Sequence, residues 1–303
     1  MKKLCLVLLS ICMMAGLMGL IPAAGADPYA PPSNLDQLSQ AEQLAYFNLV
    51  VNRVREEKPG FQQRELQKVD SMQFSNFGGI IDVLINSILR ELMPGEWLER
   101  SVDAGQSNEG LFMSENANAS DLRPGDIAAI SCEKQGDHWV IDLRIREETN
   151  PASGLSSSNG RVSSVMTREQ IVDEVVTGNG IRLDPADATI RYGSGFARVT
   201  VNEEGKVLIA ANGFQVNAQF NKMRMSIITT DAVATMNAEW QYAYFDWAPE
   251  EPFPSANNFP PANPATFDPI NPPLNPPLKW WQYLPPWLQW VFTYLFFAWL
   301  WMG

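Results

Sequence analysis

Phe196-Ala-Arg-Val-Thr-Val-Asn-Glu-Glu-Gly-Lys-Val-Leu-Ile209 is the stretch that decides the fold class. Val199-Thr-Val201 alternates apolar and polar residues, the period of a strand with one wet face. Glu203-Glu204-Gly205-Lys206 breaks the alternation with a hairpin turn, where glycine tolerates a positive φ. Downstream, Lys206–Ala218, Gln219–Ile228 and Val233–Phe245 read as further strands, and Val216-Asn-Ala-Gln-Phe220 repeats the alternation. Upstream lie Thr189–Tyr192, and a hairpin of Asp126–Glu133 with His138–Glu147 around Gln135-Gly-Asp137.

Helical patterns come earlier in the chain. Ser33 is placed to cap a helix carrying Leu38, Ala41, Leu44, Phe47, Val51 and Val54 at steps of three or four, ended by Pro59-Gly60. A second stripe runs through Phe77, Ile80, Ile81, Leu84, Ile85, Ile88, Leu89 and Leu92, opposite Asp82, Asn86, Arg90 and Glu91. A third, short helix begins at Thr167, with Gln170 completing a capping box, and continues through Ile171 and Val175. Helices first and antiparallel strands last predict an α+β fold, with N-terminal amphipathic helices packed on a curved, mostly antiparallel sheet across residues 27–247. Phe47, Val51, Ile81, Leu84 and Ile88 on the helix stripes either fill the core or line a cavity for an apolar or amphiphilic ligand.

The chain ends place the domain. Lys2-Lys3, the apolar run Leu4–Ile21 and Ala24-Gly-Ala26 have the layout of a signal peptide over residues 1–26. Its removal takes two of the 22 basic residues and none of the 34 acidic ones. So acidic a surface repels nucleic acid and excludes it as a partner. Cys132 is the one cysteine left after that removal, which rules out an internal disulfide and leaves stability to the core.

Residues 248–286 hold thirteen of the 22 prolines and predict an extended spacer, reaching about 100 Å at 3.1 Å per residue over Ala248–Lys279. Residues 287–303 carry no charge. As a helix they span about 26 Å, near the roughly 30 Å hydrocarbon core. Trp287 and Trp290 at one end, Tyr294 between, and Trp299 and Trp301 at the other resemble the aromatic belts of a membrane anchor. The predicted partners are therefore membrane lipid, through this segment, and a membrane protein docked on it. The predicted location is outside the cytoplasm, at the cell membrane.

Nothing in the sequence assembles a catalytic centre, metal site or cofactor site. His138 is the single histidine and sits between Asp137 and Trp139 at a hairpin mouth. Cys132 reads as a small buried residue rather than a nucleophile. The pairs Glu147-Glu148, Glu203-Glu204 and Glu250-Glu251 read as solvated turns, and Gly193-Ser-Gly195 as a turn or bulge.

Ala45-Tyr-Phe-Asn-Leu-Val-Val-Asn-Arg-Val-Arg-Glu-Glu-Lys-Pro-Gly-Phe61 resembles the first helix of uncharacterised exported, membrane-anchored proteins of Gram-positive anaerobic bacteria. Asp121-Leu-Arg-Pro-Gly-Asp126 and the closing Phe297-Ala-Trp-Leu-Trp-Met302 resemble the same proteins. That family carries no assigned activity, so the resemblance implies export and anchoring alone. The sheet-rich second half is similar in general shape to half-barrel lipid-carrier lipoproteins. Two expectations follow: a non-enzymatic binding module for an apolar or amphiphilic ligand, or an accessory subunit docked to a membrane complex through its C-terminal helix.

Overall fold

A computed structural model describes residues 27–75, 94–108, 111–113, 120–152, 156–163, 165–176, 181–225, 228–247 and 253. Its framework is one antiparallel sheet of eight strands: β1 (Phe61–Phe74), β2 (Pro94–Val102), β3 (Ile127–Gln135), β4 (His138–Ile145), β5 (Glu148–Thr149), β6 (Ala188–Val201), β7 (Val207–Met225) and β8 (Ile228–Ala243). The strands follow the order β2-β1-β8-β7-β6-β4-β3, with β5 paired to β6. Among the described residues the one long helix is α1 (Gln40–Glu57).

The expectation of an α+β fold with several N-terminal helices is therefore overturned in favour of a mostly antiparallel sheet around one helix. Two strands, β1 and β2, lie in the half of the chain read as helical. The stretch carrying the second predicted helix, 77–92, lies outside the described residues. The third is a single turn, α2 (Arg168–Gln170), running into a six-residue π-turn (Ile171–Val176). It keeps its capping box: the Gln170 N–H donates to Thr167 Oγ1 at 3.2 Å, and the Thr167 N–H to Gln170 Oε1 at 2.8 Å.

Helix α1 starts at Ser39 rather than Ser33. Ser39 Oγ accepts from the Glu42 N–H at 3.4 Å while Glu42 Oε2 accepts from the Ser39 N–H at 2.9 Å. Lys58 ends the helix in the left-handed conformation, its N–H donating to the Val54 carbonyl at 3.0 Å. α1 packs against both β3 and β7, although β6 and β4 lie between those strands in the sheet, so the sheet curls round the helix. Leu44, Phe47, Val50, Val51 and Val54 are fully covered, each such burial contributing about 1.5–3 kcal/mol.

Polar helix residues find backbone partners. Asn48 Nδ2 donates to the Leu122 carbonyl at 2.9 Å and Asn52 Nδ2 to the Ser120 carbonyl at 3.2 Å. Arg53 lies 4.4 Å from the Tyr29 ring centroid and 5.5 Å from that of Trp247, and donates to the Glu204 carbonyl at 2.5 Å.

The expected hairpins form. Gly136 (φ +66°) turns β3 into β4 with the register Gln135–His138, and Gly205 (φ +69°) turns β6 into β7. A Cβ at Gly205 would meet the Tyr29 carbonyl oxygen at 1.9 Å, so glycine is required there on both counts. β6 is continuous from Ala188 to Val201, with a bulge between Gly193 and Phe196 that carries Ser194 at φ +50°. Lys206–Ala218 and Gln219–Ile228, expected as two strands, run together as the 19-residue β7 as far as Met225, because Val216, Ala218 and Phe220 keep facing the core, and Ile228 opens β8.

Candidate functional site

The inner face of the sheet, which carries α1, is apolar over β6, β7 and β8 except at Asn212, and turns polar on β1. Its alternate residues on β1 are Phe61, Gln63, Glu65, Gln67 and Val69, against Tyr242, Trp240, Ala238 and Met236 on β8. Gln63 pairs with Tyr242, and Tyr242 with Ala210. Two residues along, Glu65 pairs with Trp240, and Trp240 with Asn212. Directly paired side chains lie about 4.5–5.5 Å apart at Cβ, so these form one patch.

Arg55 faces this patch from the last turn of α1. It is only 6% exposed. Nη2 donates to the Phe112 carbonyl at 3.1 Å, and Nη1 has no hydrogen-bond partner among the described residues. Burial pushes the guanidinium pKa down to about 10, against the opposing fields of Tyr242 and Asp121. Asp121 is itself held by Arg161 Nη1 at 2.5 Å. No carboxylate among the described residues pairs with Arg55.

The Phe112 ring sits 4.9 Å from that of Tyr242, with Phe61 and Phe245 completing an aromatic cluster. Tyr242 Oη accepts from the Met113 N–H at 3.2 Å. Gln63 is 3% exposed and its Oε1 has no partner. Asn212 Nδ2 donates to the Val162 carbonyl at 2.6 Å and to Ser163 Oγ at 2.8 Å, while its buried Oδ1 has none. Buried polar atoms are nearly always paired, and Arg55 Nη1, Gln63 Oε1 and Asn212 Oδ1 are exceptions among the described residues.

An aromatic strip runs on from this polar block. Trp240 lies 5.8 Å from Phe214, and Phe214 5.1 Å from Tyr192. Met72, Met236 and Ala238 beside the strip are partly buried. Leu98, paired with Glu65 on edge strand β2, is 67% exposed and is the exposed large apolar side chain among the described residues. Glu65 accepts from Gln67 Nε2 at 2.6 Å and lies 4.0 Å from Arg100, giving the strip a charged margin.

The residues singled out in the sequence fall elsewhere. Phe47 and Val51 are wholly buried between α1 and the sheet, as core. Ile81, Leu84 and Ile88, like Trp287, Trp290, Tyr294, Trp299 and Trp301, lie outside the described residues. Cys132 is half-buried on β3, and burial, with the Asp36 charge, pushes its thiol up to about 12. His138 Nδ1 is hydrogen-bonded to Asp137 Oδ1 at the hairpin mouth. Among the described residues no three His, Cys, Asp or Glu side chains converge on a metal-sized site, and no helix is long and apolar enough to cross a membrane.

Glu147 and Glu148 are not the solvated turn expected of them. Arg191 Nη2 donates to Glu147 at 2.6 Å. Glu148 accepts from Ser157 Oγ (2.6 Å), the Ser158 N–H (2.7 Å), and the Asn159 N–H and Nδ2 (3.0 and 3.1 Å). Its acceptors are filled, so this clamp fixes the loop over β6 and offers nothing to a ligand.

Arg55, Gln63, Trp240 and Asn212 escaped the sequence reading. A signal for Arg55 was present. It follows Val51 by four residues, so a charge continues the apolar stripe of Leu44, Phe47 and Val51. Compared with known protein families, curated proteins and solved structures, the chain matches none.

Proposed function

We propose that residues 27–247 form a non-enzymatic binding module that holds one amphiphilic molecule against the inner face of its sheet. The carrying observation is the adjacency of two environments: an apolar strip in which Trp240 and Phe214 are buried, Met236 is partly buried and Leu98 is exposed, and a buried block with unpartnered polar atoms on Arg55, Gln63 and Asn212. Binding sites for small molecules are commonly apolar with a few convergent polar groups. On this reading the ligand's apolar body lies along β8 and its polar end reaches α1. The signal-like residues 1–26, the proline-rich 248–286 and the aromatic 287–303 support an exported module tethered to a membrane by a spacer.

Native mass spectrometry of the full chain released from lipid nanodiscs tests this. The expected result is a single added amphiphile, lost in Leu98→Asp. This substitution puts a charge at the strip's mouth and, being at an exposed position, leaves the fold intact. Equal lipid retention by the variant would remove the strip as the site. A chain that carries no lipid but retains a membrane protein through residues 287–303 would favour the accessory-subunit reading instead.

A further inference from the structure

We infer that Arg55, Tyr242 and Gln63 form a seat for an anionic oxygen group, so that the molecule bound by this module is an acidic amphiphile with a carboxylate head. The inference rests on the binding reading above and adds the chemistry of the head group.

Three observations on different elements meet at one place. On α1, a guanidinium more than nine-tenths buried spends one nitrogen on the Phe112 carbonyl and leaves Nη1 unused. On β8, the Tyr242 oxygen is taken by the Met113 N–H, which leaves the hydroxyl hydrogen without an acceptor among the described residues. On β1, the Gln63 carboxamide is paired in register with Tyr242 and buried with its oxygen unpartnered. Arg55 and Tyr242 therefore present two donors. A half-turn of the Gln63 amide exchanges its oxygen for its NH2 and supplies a third.

An isolated buried charge is among the costliest features a fold can carry, and an anion is what compensates a guanidinium. Guanidinium and carboxylate match in a two-pronged geometry, and charge-assisted bonds of this kind are the strong ones. Among the described residues the nearby carboxylates are engaged elsewhere: Asp121 with Arg161, and Glu65 with Gln67 and Arg100. Phe61, Phe112 and Phe245 wall the seat with apolar rings, which exclude water and strengthen each interaction within it.

Isothermal titration of the full chain in detergent micelles with palmitate and with hexadecanol, its uncharged counterpart, tests the seat. The expected result is at least tenfold tighter binding of the acid. Arg55→Met should abolish that preference while still binding the alcohol. Tyr242→Phe, which keeps the ring, should reduce the preference severalfold and serves as the second probe should the Arg55 variant not fold. Equal binding of acid and alcohol by the natural chain, or a preference surviving in both variants, would overturn the seat and leave the binding module standing. Binding of neither would remove the module and the seat together.

Discussion

Arg55 Nη2 donates to the Phe112 carbonyl at 3.1 Å, and the Phe112 ring lies 4.9 Å from that of Tyr242. That chain of contacts holds a buried cation over the inner face of the sheet, with Nη1 of its guanidinium unpartnered among the described residues.

The stability cost of that arrangement is measurable. Arg55→Met replaces a buried charge that no described carboxylate pairs with by an apolar side chain of similar length, and should leave the ligand-free protein as stable or more stable, by about 1 kcal/mol. Arg55→Ala should instead lose about 1–3 kcal/mol through the void left behind. Urea unfolding of the delipidated protein separates the two.

Ser39 sets the start of α1. Removing its hydroxyl in Ser39→Ala deletes the acceptor for the Glu42 N–H, and should cost about 1 kcal/mol by urea unfolding. Ser33→Ala, at the cap position read from the sequence, should change stability far less.

Glu239 gives the fold a pH dependence. Burial raises its carboxyl pKa, partly opposed by the Gln241 hydrogen bond and the Arg64 and Arg198 charges. The folded state thus holds its proton more tightly than the unfolded chain does. Its contribution is fully present below the ordinary carboxylate range and is lost as pH rises through the raised value. Glu239→Gln should therefore be more stable than the natural chain at pH 7 and match it near pH 4, by thermal unfolding across that window.

Cys132 should be a slow thiol. With its pKa pushed up to about 12, the thiolate is scarce at neutral pH. Peptide-level mass spectrometry after iodoacetamide at pH 7 should show modification of Cys132 many-fold slower than in urea-unfolded chain.

The legible parts of the fold were those whose burial is one-sided. α1 was readable because Leu44, Phe47, Val51 and Val54 share a face, and β6–β7 because Val199 and Val201 alternate with polar residues around a glycine turn. β1 was hidden because both of its faces are polar: Gln63, Glu65 and Gln67 point inward, while Gln62, Arg64 and Lys68 point outward. What makes it a strand is pairing along β8 from Gln62 to Phe74, a partnership more than 150 residues distant in sequence. Edge strand β2 has Trp97 and Leu98 side by side on opposite faces, which breaks any alternation. The candidate site was missed for the same reason. Gln63 comes beside Tyr242 only once β1 lies along β8, Trp240 beside Asn212 only once β8 lies along β7, and Arg55 near Tyr242 only through Phe112.

Photo-crosslinking maps the central claim most directly. A palmitate carrying a diazirine in mid-chain, bound to the full-length protein and irradiated, should label peptides containing Met236–Trp240 and Leu98. The natural, unlabelled acid should compete the label away. Labelling confined to residues 287–303, with none on β8, would contradict an inner-face ligand site and leave the module without its proposed cargo.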